Sequence, residues 1–296
     1  MLLIAGTVPI EEMPLTCGEV EADGEELVVD GRHIRCNQGT GAMVSAALAT
    51  TRYLGLEPPQ VLLAGDIGQG RGSREIYEYL IANIAGLAPQ VLSLHYWLPD
   101  MNLTRRLCAA IEKCSVRPVL IADAASMYSA KAAGLASFFD IFTPDTAEAA
   151  FLSDPVATHP AYVRFMTYND TERMPEVIQA AYANGNAARL MLVKGAVDYI
   201  VRDGKIIETV TEPDVPVMEA IGGTGDTITG LVSAFVSAGL EPHEAAIIAA
   251  RANRMAGKLA GVTPASGVAR VIERFPEVFK RFLCEWSGVC ATGGVE

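Results

Sequence analysis

The stretch Ile221-Gly222-Gly223-Thr224-Gly225-Asp226-Thr227-Ile228-Thr229-Gly230 is the most informative part of the sequence, because it leads into an apolar helical pattern over residues 227–238. Glycines before a helix allow the backbone to approach a ligand closely and to aim several N–H groups at one point. The helix dipole favours an anion at that end. We therefore predict that Gly222, Gly223, Thr224 and Gly225 form an anion hole.

Asp226 lies inside the same turn. A carboxylate beside an anion hole is electrostatically unfavourable unless it performs a reaction step, such as taking a proton from a hydroxyl group. The sequence therefore predicts a catalytic base at Asp226. The alternative is a glycine-rich loop in which Asp226 only caps the helix.

Short apolar runs alternate with helical patterns along the rest of the chain. The predicted strands cover residues 2–5, 61–64, 91–94, 119–122, 141–142 and 189–193, and the predicted helices cover 42–54, 73–84, 103–114, 174–184, 227–238, 242–259 and 265–274. The strands are continuous apolar runs, as expected for a sheet that is covered on both faces. The alternation predicts an α/β fold with a mainly parallel sheet between helices.

Two Asp-Gly pairs lie between β-prone runs, Asp30-Gly31 and Asp203-Gly204, and each predicts a β-hairpin. The first hairpin is polar and is a candidate β lid within residues 19–36. No low-complexity linker interrupts the chain, so we expect one domain over residues 1–296.

Composition excludes several classes of protein. Half of the 296 residues are apolar, 20% are charged and the formal net charge is −12. This argues against a disordered chain and against binding to nucleic acid. The weakly polar residues 221–240 contain Asp226 and are not expected to cross a membrane.

The six cysteines have no CxxC spacing, and the four histidines have no HxxH or HExxH spacing, so a zinc site is not expected. Free, mostly buried thiols in a reducing cytoplasm are the expectation from this pattern.

The Gly223-Thr224-Gly225-Asp226 turn resembles the anion-hole and base motif of the ribokinase superfamily. A second similarity is Pro144-Asp145-Thr146-Ala147-Glu148, which resembles that superfamily's Pro-Asn-x-x-Glu motif. The resemblance implies a three-layer α/β sandwich, a nucleotide phosphoryl donor (ATP or ADP) and magnesium ordered by Glu148 and Asp145. The alternative for these two residues is the capping of a helix.

The resemblance extends to further segments of the chain. It implies nucleotide contacts by Lys194, Gly195, Gly222 and Asn253, and contacts with a small polar substrate by Asn37, Gly39, Thr40, Gly41 and Asp66. It also implies that the lid can pair two copies into a homodimer. The alternatives are a surface lysine at Lys194, a helix cap at Asn253 and simple close packing at the glycines near residue 40.

Two branches of the superfamily compete. Residues 218–230 and Thr263-Pro264-Ala265-Ser266-Gly267 resemble the ADP-dependent NAD(P)H-hydrate dehydratases, whereas the N-terminal half and Pro144-x-x-x-Glu148 resemble sugar kinases. The main prediction is a magnesium-dependent kinase that acts on a hydroxyl of a sugar, nucleoside or vitamin-like molecule. The alternatives are the dehydratase and a non-catalytic nucleotide-binding regulator.

Overall fold

The computed structural model describes residues 1–163 and 171–288. The strands are β1 (Leu2–Val8), β2 (Thr16–Glu19), β3 (Glu21–Asp23), β4 (Glu26–Val29), β5 (Arg32–Arg35), β6 (Gln60–Gly65), β7 (Val91–His95), β8 (Val119–Ala122), β9 (Ile141–Phe142), β10 (Leu190–Val193), β11 (Asp198–Arg202) and β12 (Lys205–Val210). The helices are α1 (Gly39–Tyr53), α2 (Arg71–Leu87), α3 (Met101–Ile111), α4 (Ala125–Ala133), α5 (Thr146–Ser153), α6 (Met174–Ala183), α7 (Thr224–Ser237), α8 (Pro242–Ala260), α9 (Ala269–Ile272), α10 (Phe275–Val278) and α11 (Cys284–Ser287).

The chain forms two compact units. The first unit comprises Met1–Gly18 and Gln60–Thr209, and the second comprises Glu19–Pro59 and Val210–Glu296. Both units are therefore built from two separate stretches of sequence. The single domain expected over residues 1–296 stays a prediction.

A nine-stranded sheet has the order β12-β11-β10-β9-β8-β7-β1-β6-β2. The pairs β6–β1, β1–β7, β7–β8, β8–β9 and β9–β10 are parallel, and β10–β11 is antiparallel. All seven residues of β1 are buried, as a central strand of a doubly covered sheet requires. The predicted α/β class with a mainly parallel sheet is confirmed.

Polar residues follow several neighbouring strands of this sheet in the first unit. His95 ends β7, Asp123 follows β8, Thr143 follows β9 and Lys194 follows β10. Carboxyl ends of parallel strands meet at one edge, where open α/β sheets bind their ligands. The topology thus brings these four residues to one edge of the sheet.

Three local predictions need correction. Helix α4 was not predicted, because it follows Ala124, which has a φ of +52° and offers no capping side chain, whereas α5 corresponds to the capping alternative for Asp145 and Glu148. The helix predicted over 73–84 begins two residues earlier, at Arg71, and its N-cap is Gly70. The last predicted helix, over 265–274, is reduced to the short α9.

The second unit contains a three-stranded antiparallel sheet of order β3-β4-β5. Its predicted hairpin is present, with Asp30 at φ +48° and Gly31 at φ +70° in the turn, as a type I′ turn requires. The buried side chains Leu27, Val29 and Ile34 anchor it. Its role as a lid stays a prediction.

Helix α7 packs against α1 in the second unit through Gly230. A Cβ added at Gly230 lies 2.2 Å from the Met43 carbonyl oxygen and 3.1 Å from the Ala46 Cβ. Only glycine allows this contact, because a backbone carbonyl cannot rotate away as a flexible side chain does.

We expect Gly230→Ala to lower the free energy of unfolding by about 3 kcal/mol, the upper part of the usual range for overpacking. The matched control is Gly86→Ala in α2, where an added Cβ meets nothing within 4 Å. That change is expected to stabilise the protein by about 0.5–1 kcal/mol, because alanine is the better helix former. Urea unfolding of both variants measures the difference, and equal stabilities would contradict the close α1–α7 contact.

The cysteines differ from expectation at one position. Cys17, Cys36, Cys108 and Cys114 are free, whereas Cys284 is disulfide-bonded. The expectation of free thiols was wrong for Cys284, because a disulfide depends on the distance between two cysteines in space rather than on a sequence spacing. Among the described residues, none of the helices combines the length and apolar character that crossing a bilayer requires.

Candidate active site

The glycine-rich turn forms the first turn of α7 in the second unit. Gly223 is the N-cap with a φ of +95°, a conformation that favours glycine. A Cβ at Gly223 would lie 3.1 Å from the Gln38 Cα and 3.2 Å from the Ala42 Cβ. The helix begins at Thr224 rather than at Thr227, so Gly225 and Asp226 belong to its first turn. The predicted anion hole therefore lies at a helix N-terminus, where the helix dipole favours an anion, and it stays a prediction.

Asp226 is half-buried, and its side chain contacts the start of another helix. Its Oδ2 atom accepts a hydrogen bond of 2.7 Å from the backbone N–H of Gly39, the first residue of α1. The positive end of the α1 dipole favours the ionised carboxylate. The predicted base is thus held in a defined orientation by the second unit's own backbone.

The first turn of α7 is also held by a buried polar network. The Thr227 hydroxyl donates to Asn253 Oδ1 at 2.8 Å, and Asn253 Nδ2 donates to the Thr224 carbonyl at 3.1 Å. The Thr224 hydroxyl contacts the carbonyls of Met218 and Ile221, at 3.0 Å each. Asn253 is 4% exposed, so the geometry supports the capping alternative rather than a nucleotide contact.

The predicted substrate residues near residue 40 lie at the start of α1. Thr40 is 2% exposed, and a Cβ at Gly41 would lie 2.5 Å from the Arg35 carbonyl oxygen. Gly41 is thus explained by the close packing of α1 on β5. The Gly39 N–H donates to Asp226. Asn37 is exposed, and its contact with a substrate stays a prediction.

Asp66, in the first unit, organises the loop after β6. Its Oδ1 accepts N–H groups from Gly68, Gln69 and Gly70 at 2.9–3.0 Å. Its Oδ2 accepts both the N–H and the hydroxyl of Ser73. Burial raises the pKa of Asp66, but these hydrogen bonds outweigh burial and lower it overall. Both oxygens are therefore committed to the loop, which does not fit the predicted contact with a substrate hydroxyl.

Lys194 is a buried ion-pair partner in the first unit, not a surface lysine. Its Nζ lies 3.0 Å and 2.9 Å from the two carboxylate oxygens of Asp123, and Lys194 and Asp123 are 8% and 1% exposed. The His95 Nε2 is 3.8 Å from Asp123 Oδ2. Gly195 donates its N–H to Asp198 at 3.1 Å. No sequence motif singled out Asp123 and His95, although each is a polar residue directly after a predicted apolar strand.

Glu148 and Asp145 form a capping box at the start of α5. The Glu148 N–H donates to Asp145 Oδ1 at 2.7 Å, and the Asp145 N–H donates to Glu148 Oε2 at 2.9 Å. The Tyr128 hydroxyl donates to Glu148 Oε1 at 2.7 Å. Burial, followed by the nearby Asp145 and Asp123 carboxylates, raises the pKa of Glu148 to about 8.

The two oxygens of Glu148 accept hydrogen bonds from the Asp145 N–H and from the Tyr128 hydroxyl. The capping alternative for this motif is therefore present in the structure. Magnesium binding by Glu148 and Asp145 stays a prediction, and no reaction step is assigned to a metal ion held there.

Comparison with known proteins shows the family of this chain. A family model described as NAD(P)H-hydrate dehydratase matches residues 101–270, a range that includes the Gly223–Asp226 turn. An uncharacterized protein of Methanocaldococcus jannaschii is 36% identical over 81% of this chain and 100% of its own length. The chain belongs to the family that this model describes, the Carb_kinase family.

Other relatives of this chain carry functional names. The bifunctional NAD(P)H-hydrate repair enzyme of Pyrobaculum aerophilum is 38% identical over 39% of this chain and 22% of its own length. The ADP-dependent (S)-NAD(P)H-hydrate dehydratase of Haloterrigena turkmenica is 33% identical over 31% of this chain and 35% of its own length. The chain thus spans only a minor part of the relatives that carry these names.

Solved structures agree on the fold. Pyridoxal kinase from Staphylococcus aureus superposes with a TM-score of 0.55 at 14% identity, covering 87% of this chain and 88% of that chain. Bacillus subtilis YxkO gives a TM-score of 0.55 at 14% identity, covering 95% and 92%. The resemblance to the ribokinase superfamily is confirmed. The named relatives favour the dehydratase alternative over the main prediction of a kinase.

Proposed function

We propose that the protein is a nucleotide-dependent dehydratase that restores NAD(P)H from its hydrate. The observation that carries the proposal is the Gly223-Thr224-Gly225-Asp226 turn, which lies within the range matched by the family model and presents an oriented carboxylate at the start of α7. The relative from H. turkmenica is named as ADP-dependent, so ADP is the first nucleotide to test.

Hydroxide is a poor leaving group, and a phosphate ester leaves far more easily. Asp226 takes the proton of the hydrate's hydroxyl while that oxygen forms a bond to the terminal phosphoryl group of the nucleotide. The bond from that phosphorus to the bridging oxygen of the nucleotide breaks at the same time. The N–H groups of Gly223, Thr224 and Gly225 stabilise the negative charge on the transferring group. Inorganic phosphate then leaves with the electron pair of the C–O bond, the adjacent ring carbon loses a proton, and the ring double bond forms.

Nucleotide binding by Lys194 and Gly195 is part of the proposal. They follow the carboxyl end of β10, the end at which open α/β sheets bind ligands. Because Asp123 neutralises Lys194, we expect the backbone of this segment to provide the contact rather than a free ammonium group.

A kinase for a small alcohol is the second candidate, because the proton transfer assigned to Asp226 is also the first step of phosphorylation. The two candidates differ in what happens to the phosphate. A dehydratase releases one inorganic phosphate for each dihydronicotinamide formed, whereas a kinase retains the phosphate on its product.

The test incubates the protein with magnesium, NAD(P)H hydrate and either ADP or ATP. The expected result is recovery of the near-ultraviolet absorbance of NAD(P)H with an equal amount of inorganic phosphate. Phosphorylation of a sugar, nucleoside or vitamin alcohol without phosphate release would replace the dehydratase by the kinase. A nucleotide-induced rise in Tm without turnover of any acceptor would contradict both enzymatic candidates and favour the non-catalytic regulator.

A further inference from the structure

The start of α7 is held by contacts from two other helices of the second unit. Gly39 of α1 donates its N–H to one oxygen of Asp226, and Asn253 of α8 bonds both Thr227 and Thr224. Asn253 and Thr227 are 4% and 0% exposed, so these bonds are shielded from competing water. The hydrogen bond from Gly39 to Oδ2 restricts the rotation of the Asp226 carboxylate.

We infer that Gly39 and the Thr227–Asn253 pair are positioning residues that aim the Asp226 base. The inference rests on the proposed role of Asp226 as a base, and it assigns to Gly39 and Asn253 a function other than substrate or nucleotide contact. Gly39 acts through its backbone N–H, which is a charge-assisted donor when Asp226 is ionised. The Thr227–Asn253 pair fixes the backbone on either side of Asp226.

Backbone geometry makes Gly39 suited to this role. Its φ is +61°, which turns the first N–H of α1 toward Asp226 at little cost for glycine. Close packing of α1 and α7 at Gly223 and Gly230 prevents the two helix starts from separating. The Asp226–Gly39 bond therefore depends on packed backbone rather than on flexible side chains.

The first experiment removes one hydroxyl from the network. Thr227→Val keeps the side-chain volume and loses the hydrogen bonds of the hydroxyl to Asn253 and to the Thr224 carbonyl, whereas Thr227→Ser keeps the hydroxyl. We expect Thr227→Val to lower kcat by about 10²-fold with little change in KM, because small displacements of a reacting group have effects of this size. Thr227→Ser is expected to recover most of kcat. Unchanged kcat in Thr227→Val would overturn the inference.

The matched control is Thr50→Val in α1. Thr50 is also fully buried, but its hydroxyl bonds the Ala46 carbonyl of its own helix at 2.8 Å. A similar loss of kcat in Thr50→Val would show that the effect is a general consequence of removing a buried hydroxyl, and this too would overturn the inference.

The second experiment does not depend on activity. Nuclear magnetic resonance of the protein labelled with ¹⁵N-glycine follows the Gly39 amide proton as pH is varied. We expect a downfield shift that titrates with the Asp226 carboxyl and is absent in Asp226→Asn. An identical Gly39 shift in both proteins would overturn the inference. If the wild type turns over neither the hydrate nor any alcohol, the proposed function fails, while the amide titration still decides whether Gly39 orients Asp226.

Discussion

Asp226→Asn is expected to lower kcat by about 10²–10⁴-fold, the usual contribution of a positioned general base. Asparagine has nearly the same shape as aspartate and keeps an oxygen that accepts the Gly39 N–H, now 2.7 Å from Oδ2. It lacks the basicity needed to take a proton at neutral pH. Binding of the nucleotide and of the substrate is therefore expected to stay within a few-fold of the wild type.

Steady-state kinetics of hydrate turnover and of phosphate release measure this effect. The control is Asp214→Asn, which removes an exposed carboxylate of the same unit and is expected to leave kcat unchanged. Near-normal turnover by Asp226→Asn would remove Asp226 from the mechanism. A loss expressed only in KM would instead make it a binding residue.

Lys194→Met is expected to lower the free energy of unfolding by about 3–5 kcal/mol, because it leaves a buried carboxylate without its cation. Methionine keeps the length of the apolar stem, so the variant reports chiefly on the lost charge. Asp123 is 1% exposed, and its two oxygens lie 2.9–3.0 Å from the Lys194 Nζ.

Denaturant unfolding of Lys194→Met, Asp123→Asn and the double variant tests this pair. The double variant is expected to be more stable than the sum of the two single effects predicts, because it removes both charges together. The matched control, Lys205→Met, changes an exposed lysine at the start of β12 and is expected to alter stability by less than about 0.5 kcal/mol. Equal losses in Lys194→Met and Lys205→Met would contradict a buried ion pair.

Sequence patterns predicted the structure correctly where neighbouring residues in the chain determine it. The apolar runs of β1, β6 and β7 marked a doubly covered sheet, and Asp30-Gly31 and Asp203-Gly204 marked two hairpins whose residues have the positive φ angles that such turns need. The Gly223-Thr224-Gly225-Asp226 turn identified the superfamily. Each of these signals is carried by residues adjacent in the chain, where backbone conformation and solvent exposure depend on the residues themselves.

Residues that are far apart in the chain but bonded in the structure had no local sequence pattern that linked them. Asp226 and Gly39 are 187 residues apart, and Lys194 and Asp123 are 71 residues apart. The sequence therefore predicted contacts with a ligand for Gly39, Lys194 and Asp66 but did not predict the protein groups that these residues contact. The carboxylate of Asp66 accepts hydrogen bonds from N–H groups of its own loop and from the Ser73 hydroxyl.

The amino-acid sequence alone determined the fold class, the two hairpins and the turn that contains Asp226, since hydrophobic periodicity and glycine placement act locally. Tertiary structure alone decided which groups face one another. It bonded Asp226 to the start of α1 and neutralised Lys194 with Asp123. The physical reason is that a hydrogen bond or an ion pair depends on distance in space, and folding sets that distance independently of separation along the chain.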